Sequence, residues 1–115
     1  FELSTLVPPI TFAGEDTPGP WRWHFVRAVD SMEALEFDVA IVGAGAYGLP
    51  LAHHAKRMGK VGLHLAGATQ LIFGVYGHRW RNIDSVQAVV DDTWVRPSKT
   101  ERPRKFGSVE DGCYW

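Results

Sequence analysis

The apolar positions of the chain change period near residue 37. From about Gly19 to Leu35, Trp21, Phe25, Val29, Met32 and Leu35 recur at spacings of three and four, with Arg22, Arg27, Asp30 and Glu33 largely between them. That pattern predicts a helix packing one face on a core. Thr17 can serve as its N-cap, and Pro18 or Pro20 suits a first helical turn, where a missing backbone N–H costs nothing. Phe37 to Val42 (FDVAIV) is instead a nearly unbroken, β-branched apolar run, which predicts a parallel strand covered on both faces. It leads straight into Gly43-Ala44-Gly45-Ala46-Tyr47-Gly48. The next stretch, Leu49 to Met58, predicts a helix that stops at Gly59, a good C-terminal cap. Val61 to Leu65 (VGLHL) predicts a second strand. Strand, glycine turn, helix and strand within about 29 residues make a βαβ unit, a crossover that is almost always right-handed.

The flanks are less regular. Residues 1–20 hold four of the seven prolines, so 1–17 reads as an extended lead-in whose best strand is Ile10–Phe12. After the βαβ unit, Gly67-Ala68-Thr69 is a second strand-to-helix turn, followed by a short apolar stretch from Gln70 to Val75 and a break at Gly77. Asp84 and Gln87 have capping-box spacing and predict a last short helix reaching about Asp91. From 93 to 115 no period is sustained, and Pro97, Pro103, Gly107 and Gly112 predict an irregular tail over the surface.

These elements predict the α/β class: a three-layer domain with a small, mainly parallel sheet of Ile10–Phe12, Phe37–Val42 and Val61–Leu65, flanked by helices near 19–35 and 48–58. A length of 115 residues suits one domain spanning 1–115. Three strands leave two exposed edges, so either the sheet continues in sequence outside this chain or a symmetric copy covers it. A homodimer is therefore expected, and sedimentation as a monomer well above micromolar concentration would remove that expectation. The start at Phe1 instead of Met points to a fragment of a longer protein or a processed chain.

Charge narrows the function classes. Twelve Lys and Arg against 13 Asp and Glu leave a net charge of −1, which supplies no field to attract nucleic acid or an anionic membrane. No apolar run approaches the roughly 20 residues of a membrane span, and no leader pattern opens the chain, so cytoplasmic placement is the default. The single cysteine, Cys113, excludes an internal disulfide and a thiolate metal site.

Gly43, Gly45 and Gly48 form a G-x-G-x-x-G pattern in the context that gives it meaning, after a buried strand and at the start of a helix. There the first glycine permits the bend, the second lets backbone approach a phosphate, and the third lets helix and strand pack closely. Outward-facing N–H groups at the helix start favour an anion; the alternative is a tight turn with no ligand. A nicotinamide or flavin dinucleotide site also needs an acidic residue at the end of the next strand. Here that strand ends Leu63-His64-Leu65-Ala66-Gly67, without Asp or Glu, which counts against NAD, and no arginine follows to receive the 2′-phosphate of NADP. The turn looks like a nucleotide or sugar-nucleotide cradle more than a redox site.

Gly67 with Thr69 and Gln70 forms a second candidate cradle, in which Thr69 or Gln70 could hydrogen-bond a sugar or base; helix capping by Thr69 explains it equally well. His64, on one face of its strand, is more often a satisfied core histidine than a catalytic base. Arg79 could pair with phosphate beside the stacking face of Trp80. From Arg96 to Lys105, five positive residues face one negative, a segment that could clamp an anion or partner but is more commonly a solvated tail. No metal site is expected: His53 and His54 diverge by about 100° on a helix, and the acidic pairs Glu15-Asp16, Asp91-Asp92 and Glu110-Asp111 lack D-x-D or D-x-E spacing.

The stretch Phe37–Trp80, FDVAIVGAGAYGLPLAHHAKRMGKVGLHLAGATQLIFGVYGHRW, resembles the C-terminal half of bacterial glycosyltransferase-D-fold proteins, which are Rossmann-like and mostly hypothetical. Trp94-Val95-Arg96-Pro97 and the closing Glu110-Asp111-Gly112-Cys113-Tyr114-Trp115 resemble that group as well, and together these segments cover over half the chain. The resemblance implies a Rossmann-like, nucleotide-sugar-binding domain with glycosyl transfer as the activity. It places Gly43, Gly45 and Gly48 in the first cradle and Gly67, Thr69 and Gln70 in the second. Tyr47 is a further ligand-binding candidate in the first turn, and Arg79 would neutralise the leaving group, because phosphoryl leaving groups need positive charge in the transition state. It also implies a UDP-sugar with a divalent metal held by a D-x-E element, which this chain does not show and which segments outside it would supply. The catalytic residue is not assigned, and a non-catalytic Rossmann-like binding or assembly module is the alternative.

Overall fold

A computed structural model describes residues 1–8 and 17–115. The strand expected at Ile10–Phe12 lies outside the described residues. Within the span expected to be one domain, the described residues form two compact units, one built on Thr17–Ala66 and the other on Gly67–Trp115. The structure is of mixed helix and strand, with a small parallel sheet.

The first unit contains helix α1 (Trp21–Glu33), strand β1 (Val39–Val42), helix α2 (Gly48–Arg57) and strand β2 (Val61–His64). Pro20, in extended conformation, occupies the N-cap position of α1, so the helix begins two residues later than expected. β1 and β2 pair in parallel, with Val39 opposite Val61, Ala40 opposite Gly62, Ile41 opposite Leu63 and Val42 opposite His64. Met32 of α1, Val42 of β1, and Tyr47, Leu51, Ala52 and Ala55 form the core, with Phe25, Val29 and Ala40 packed against it.

Small residues set the spacing of this unit. Ala52 and Ala55 line the buried face of α2, and Gly62 lies directly beneath Ala52. α2 ends as its sequence predicts: Gly59 takes a φ of +79°, its N–H bonds to the Lys56 carbonyl, and the Lys60 N–H reaches back to Ala55. The expectation that β1 is covered on both faces is not met. Val39, Ile41, Val61 and Leu63 are exposed on the face opposite α2, because the strands alternate and the core cluster draws on Ala40 and Val42.

The second unit has little regular structure. Helix α3 (Thr69–Ile72) and helix α4 (Asp84–Gln87) are single turns, accompanied by 3₁₀ turns at His78–Asn82, Lys99–Glu101, Phe106–Ser108 and Glu110–Gly112. The chain breaks at Gly74, whose φ is +64°, earlier than the expected Gly77, and Val75 then bridges in parallel to Val95. α4 stops at Gln87, short of Asp91. Gln87 does not return to cap Asp84, since its Nε2 donates to the Trp80 carbonyl at 3.0 Å and its Oε1 accepts from Tyr76. The tail is irregular as expected, yet it does not simply cross the surface: Pro103, Gly112 and Cys113 are buried.

Candidate functional site

The first glycine turn leaves β1 at Val42 and passes through exposed Gly43 into a 3₁₀ turn, Gly45–Tyr47, that runs directly into α2 at Gly48. The three motif glycines and Tyr47 therefore sit at one place, the carboxyl end of β1, but they play different parts. Gly45 has a φ of +50°, a left-handed conformation that favours glycine, and nothing lies within 4 Å of the position a Cβ would take. Its requirement is conformational, and the space beside it is open. Gly48 has an ordinary helical φ of −60°. A Cβ there would lie 3.3 Å from Nε2 of His64, with Cε1 and Nδ1 closer still. Its requirement is close packing.

Tyr47 is 4% exposed, and its ring stacks on Trp21 with centroids 5.2 Å apart and planes 2° from parallel. The ring belongs to the core, while its hydroxyl is buried without a hydrogen-bond partner among the described residues. The first turn of α2 holds no acidic side chain, whereas His54, Lys56 and Arg57 stand in the last turn. The charges thus match the helix dipole at the C-terminal end; at the N-terminal end the Gly48 N–H bonds to the Gly45 carbonyl and Pro50 has no N–H. His54 pairs with Glu33 of α1 at 2.8 Å.

The second set, Gly67, Thr69, Gln70 and Arg79, belongs to the other unit, and there the chain's own tail meets it. A Cβ on Gly67 would lie 2.6 Å from Cε1 of Tyr114 and 3.1 Å from Nη1 of Arg79. Gln70 Nε2 donates to the Tyr114 carbonyl at 3.1 Å, and the Arg79 backbone N–H donates to the Cys113 carbonyl at 2.8 Å. The Arg79 guanidinium lies over the Tyr114 ring at 4.7 Å, donates to the Tyr114 hydroxyl at 3.2 Å and forms an ion pair with Glu110. The Thr69 hydroxyl and Gln70 Oε1 are buried without partners among the described residues. Reaching this position takes backbone strain: Glu110, Asp111 and Gly112 have φ values of 46°, 54° and 74°, and the first two are not glycine.

Sequence reasoning missed Tyr114 and Glu110 at this place, and weighed His64 as a core residue. The tail contacts join residues more than 30 positions apart and carry no local signal. His64 does carry one: strand alternation puts it on the same side as Gly62, two residues beyond the point where α2 lies closest.

Two carboxyls are held below the usual carboxylate range. Asp91 accepts from the Thr93 hydroxyl at 2.6 Å and the Thr93 N–H at 2.9 Å, and Glu101 accepts from the Ser98 N–H at 2.7 Å. A lowered folded pKa gives stability that is present at neutral pH and lost as the pH falls through that value. Among the described residues, no group of three His, Cys, Asp or Glu side chains is placed to hold a metal ion, and no helix is long and apolar enough to cross a membrane. Compared with family models, curated proteins and solved structures, the chain matches none.

Proposed function

We propose that the chain is a Rossmann-like, glycosyltransferase-like domain that holds the diphosphate of a nucleotide sugar at the Gly43–Gly48 turn. One observation carries this reading: Gly45 takes a left-handed φ with open space where a Cβ would stand, at the carboxyl end of β1 and the entry to α2. A packing glycine would be hemmed in, as Gly48 is. The uncharged first turn of α2 leaves the positive end of the helix dipole unopposed, and the exposed Gly45 backbone beside it can approach a phosphate. The divalent metal of this reading would be held by a D-x-E element outside this chain, since no group of three His, Cys, Asp or Glu among the described residues is placed to hold one. The homodimer expected from the sheet edges belongs to the same reading.

The second reading, a non-catalytic binding or assembly module, is favoured by a different observation. Arg79, the cation expected on the leaving group, is already paired with Glu110 and Tyr114.

A thermal-shift titration with UDP-sugars, UDP, ADP and NAD, with and without manganese, separates the two. A ligand at about 100 times its Kd stabilises the folded state by about 2.7 kcal/mol, a shift of several degrees in a chain of this size. UDP species are expected to give that shift in the wild type and none in Gly45→Val, whose side chain meets the left-handed backbone. A shift with NAD alone, or with nothing, refutes the nucleotide-sugar proposal.

A further inference from the structure

We infer that His64 recognises the ribose 2′-hydroxyl of a nucleoside diphosphate bound at the glycine turn, with Nε2 as the hydrogen-bond acceptor; this rests on the nucleotide-sugar proposal above. His64 closes β2, and its ring fills the space that a Cβ on Gly48 would occupy, which sets the imidazole beside the first turn of α2. Nδ1 lies 3.3 Å from the Val42 carbonyl oxygen. A carbonyl only accepts, so Nδ1 carries the hydrogen, and in the neutral ring Nε2 carries the lone pair. The same Val42 carbonyl accepts the Leu65 N–H at 3.1 Å, so the group that orients the ring is itself held at the end of the β1–β2 ladder.

The outcome is an imidazole on an exposed residue at the carboxyl ends of both strands, with no hydrogen-bond partner for Nε2 among the described residues. In dinucleotide sites a carboxylate at the end of the second strand accepts from the ribose hydroxyls. Here no Asp or Glu ends that strand. A neutral imidazole offers the same acceptance without placing a negative charge near a diphosphate.

Calorimetric titration of the full chain with UDP, 2′-deoxyuridine diphosphate and inorganic pyrophosphate tests this. The wild type should bind UDP about three- to tenfold more tightly than the deoxy form, the range one hydrogen bond supplies. His64→Ala should close that gap and leave pyrophosphate affinity unchanged, and His64→Gln, which keeps a side-chain acceptor, should restore part of it. Equal binding of UDP and the deoxy form by the wild type, or a gap that survives in His64→Ala, overturns the role of His64 while leaving diphosphate binding at the turn intact. Failure of the wild type to bind either UDP or pyrophosphate overturns both. Because the wild-type comparison needs no variant, the test survives misfolding of His64→Ala.

Discussion

Gly62→Ala is expected to destabilise the first unit by about 3 kcal/mol or more, at the upper end of what overpacking costs. The added methyl would stand 2.9 Å from the carbonyl carbon of Ala52, closer still to its oxygen, and 3.1 Å from its Cα. These are backbone atoms in the middle of α2, so no side-chain rotation relieves the clash. The helix must move off the sheet, which separates Leu51, Ala52 and fully buried Ala55 from Val42. Since small domains hold only about 5–15 kcal/mol in total, urea unfolding followed by circular dichroism should show a midpoint lowered by more than about 1 M. Gly48→Ala is the internal comparison. Its obstacle is the His64 ring, a side chain that can swing away, so the cost should be nearer 1 kcal/mol and should shrink in a Gly48→Ala, His64→Ala double variant. Equal costs for Gly62→Ala and Gly48→Ala would contradict this account of the packing.

The second large effect is expected at Gly77, in the other unit. A Cβ there would lie 2.6 Å from the Tyr114 carbonyl oxygen, 2.7 Å from its carbon and 2.9 Å from the Cys113 oxygen. Here too the obstacle is backbone. Gly77→Ala should dislodge the Cys113–Tyr114 segment, breaking the Arg79 N–H to Cys113 carbonyl bond and the Gln70 to Tyr114 bond together. A loss of about 2–3 kcal/mol is expected for this overpacking. Hydrogen exchange reads it directly, as faster exchange of the Arg79 amide. Gly107→Ala is the control in the same tail: its Cβ would meet nothing within 4 Å, and it should stay within about 0.5 kcal/mol of wild type. An Arg79 amide as protected in Gly77→Ala as in the wild type would show that the tail does not dock through this glycine.

The β1–α2–β2 unit was legible because its signals are local. An apolar β-branched run, a glycine turn, a helix stopped by Gly59 and a second short run each declare themselves within about ten residues, and each agrees with its neighbours. The second unit was much less legible. α3 and α4 span four residues each, too short to show a period, and neither has a side-chain cap that would mark its start. Gln87 looked like a capping residue from its spacing to Asp84, and in the fold it serves Trp80 and Tyr76.

The glycines show where the division falls. That Gly59 ends a helix, and that Gly45 belongs to a turn between strand and helix, follows from the chain alone, because backbone conformation is a local property of residue type. That Gly62 admits a helix backbone, that Gly48 makes room for an imidazole, and that Gly77 receives the tail depended on which distant atoms arrived. The same holds for the polar groups. The sequence by itself determined that Arg79 carries a charge and that His64 lies in a strand, expected over Val61 to Leu65 and ending in the structure at His64. Only the tertiary structure decided that the charge is shared with Glu110 and Tyr114, and that Nδ1 of the imidazole comes to 3.3 Å from the Val42 carbonyl oxygen. Residue type fixes what a group can bond to, and the packing of segments remote in the chain fixes which partner it meets.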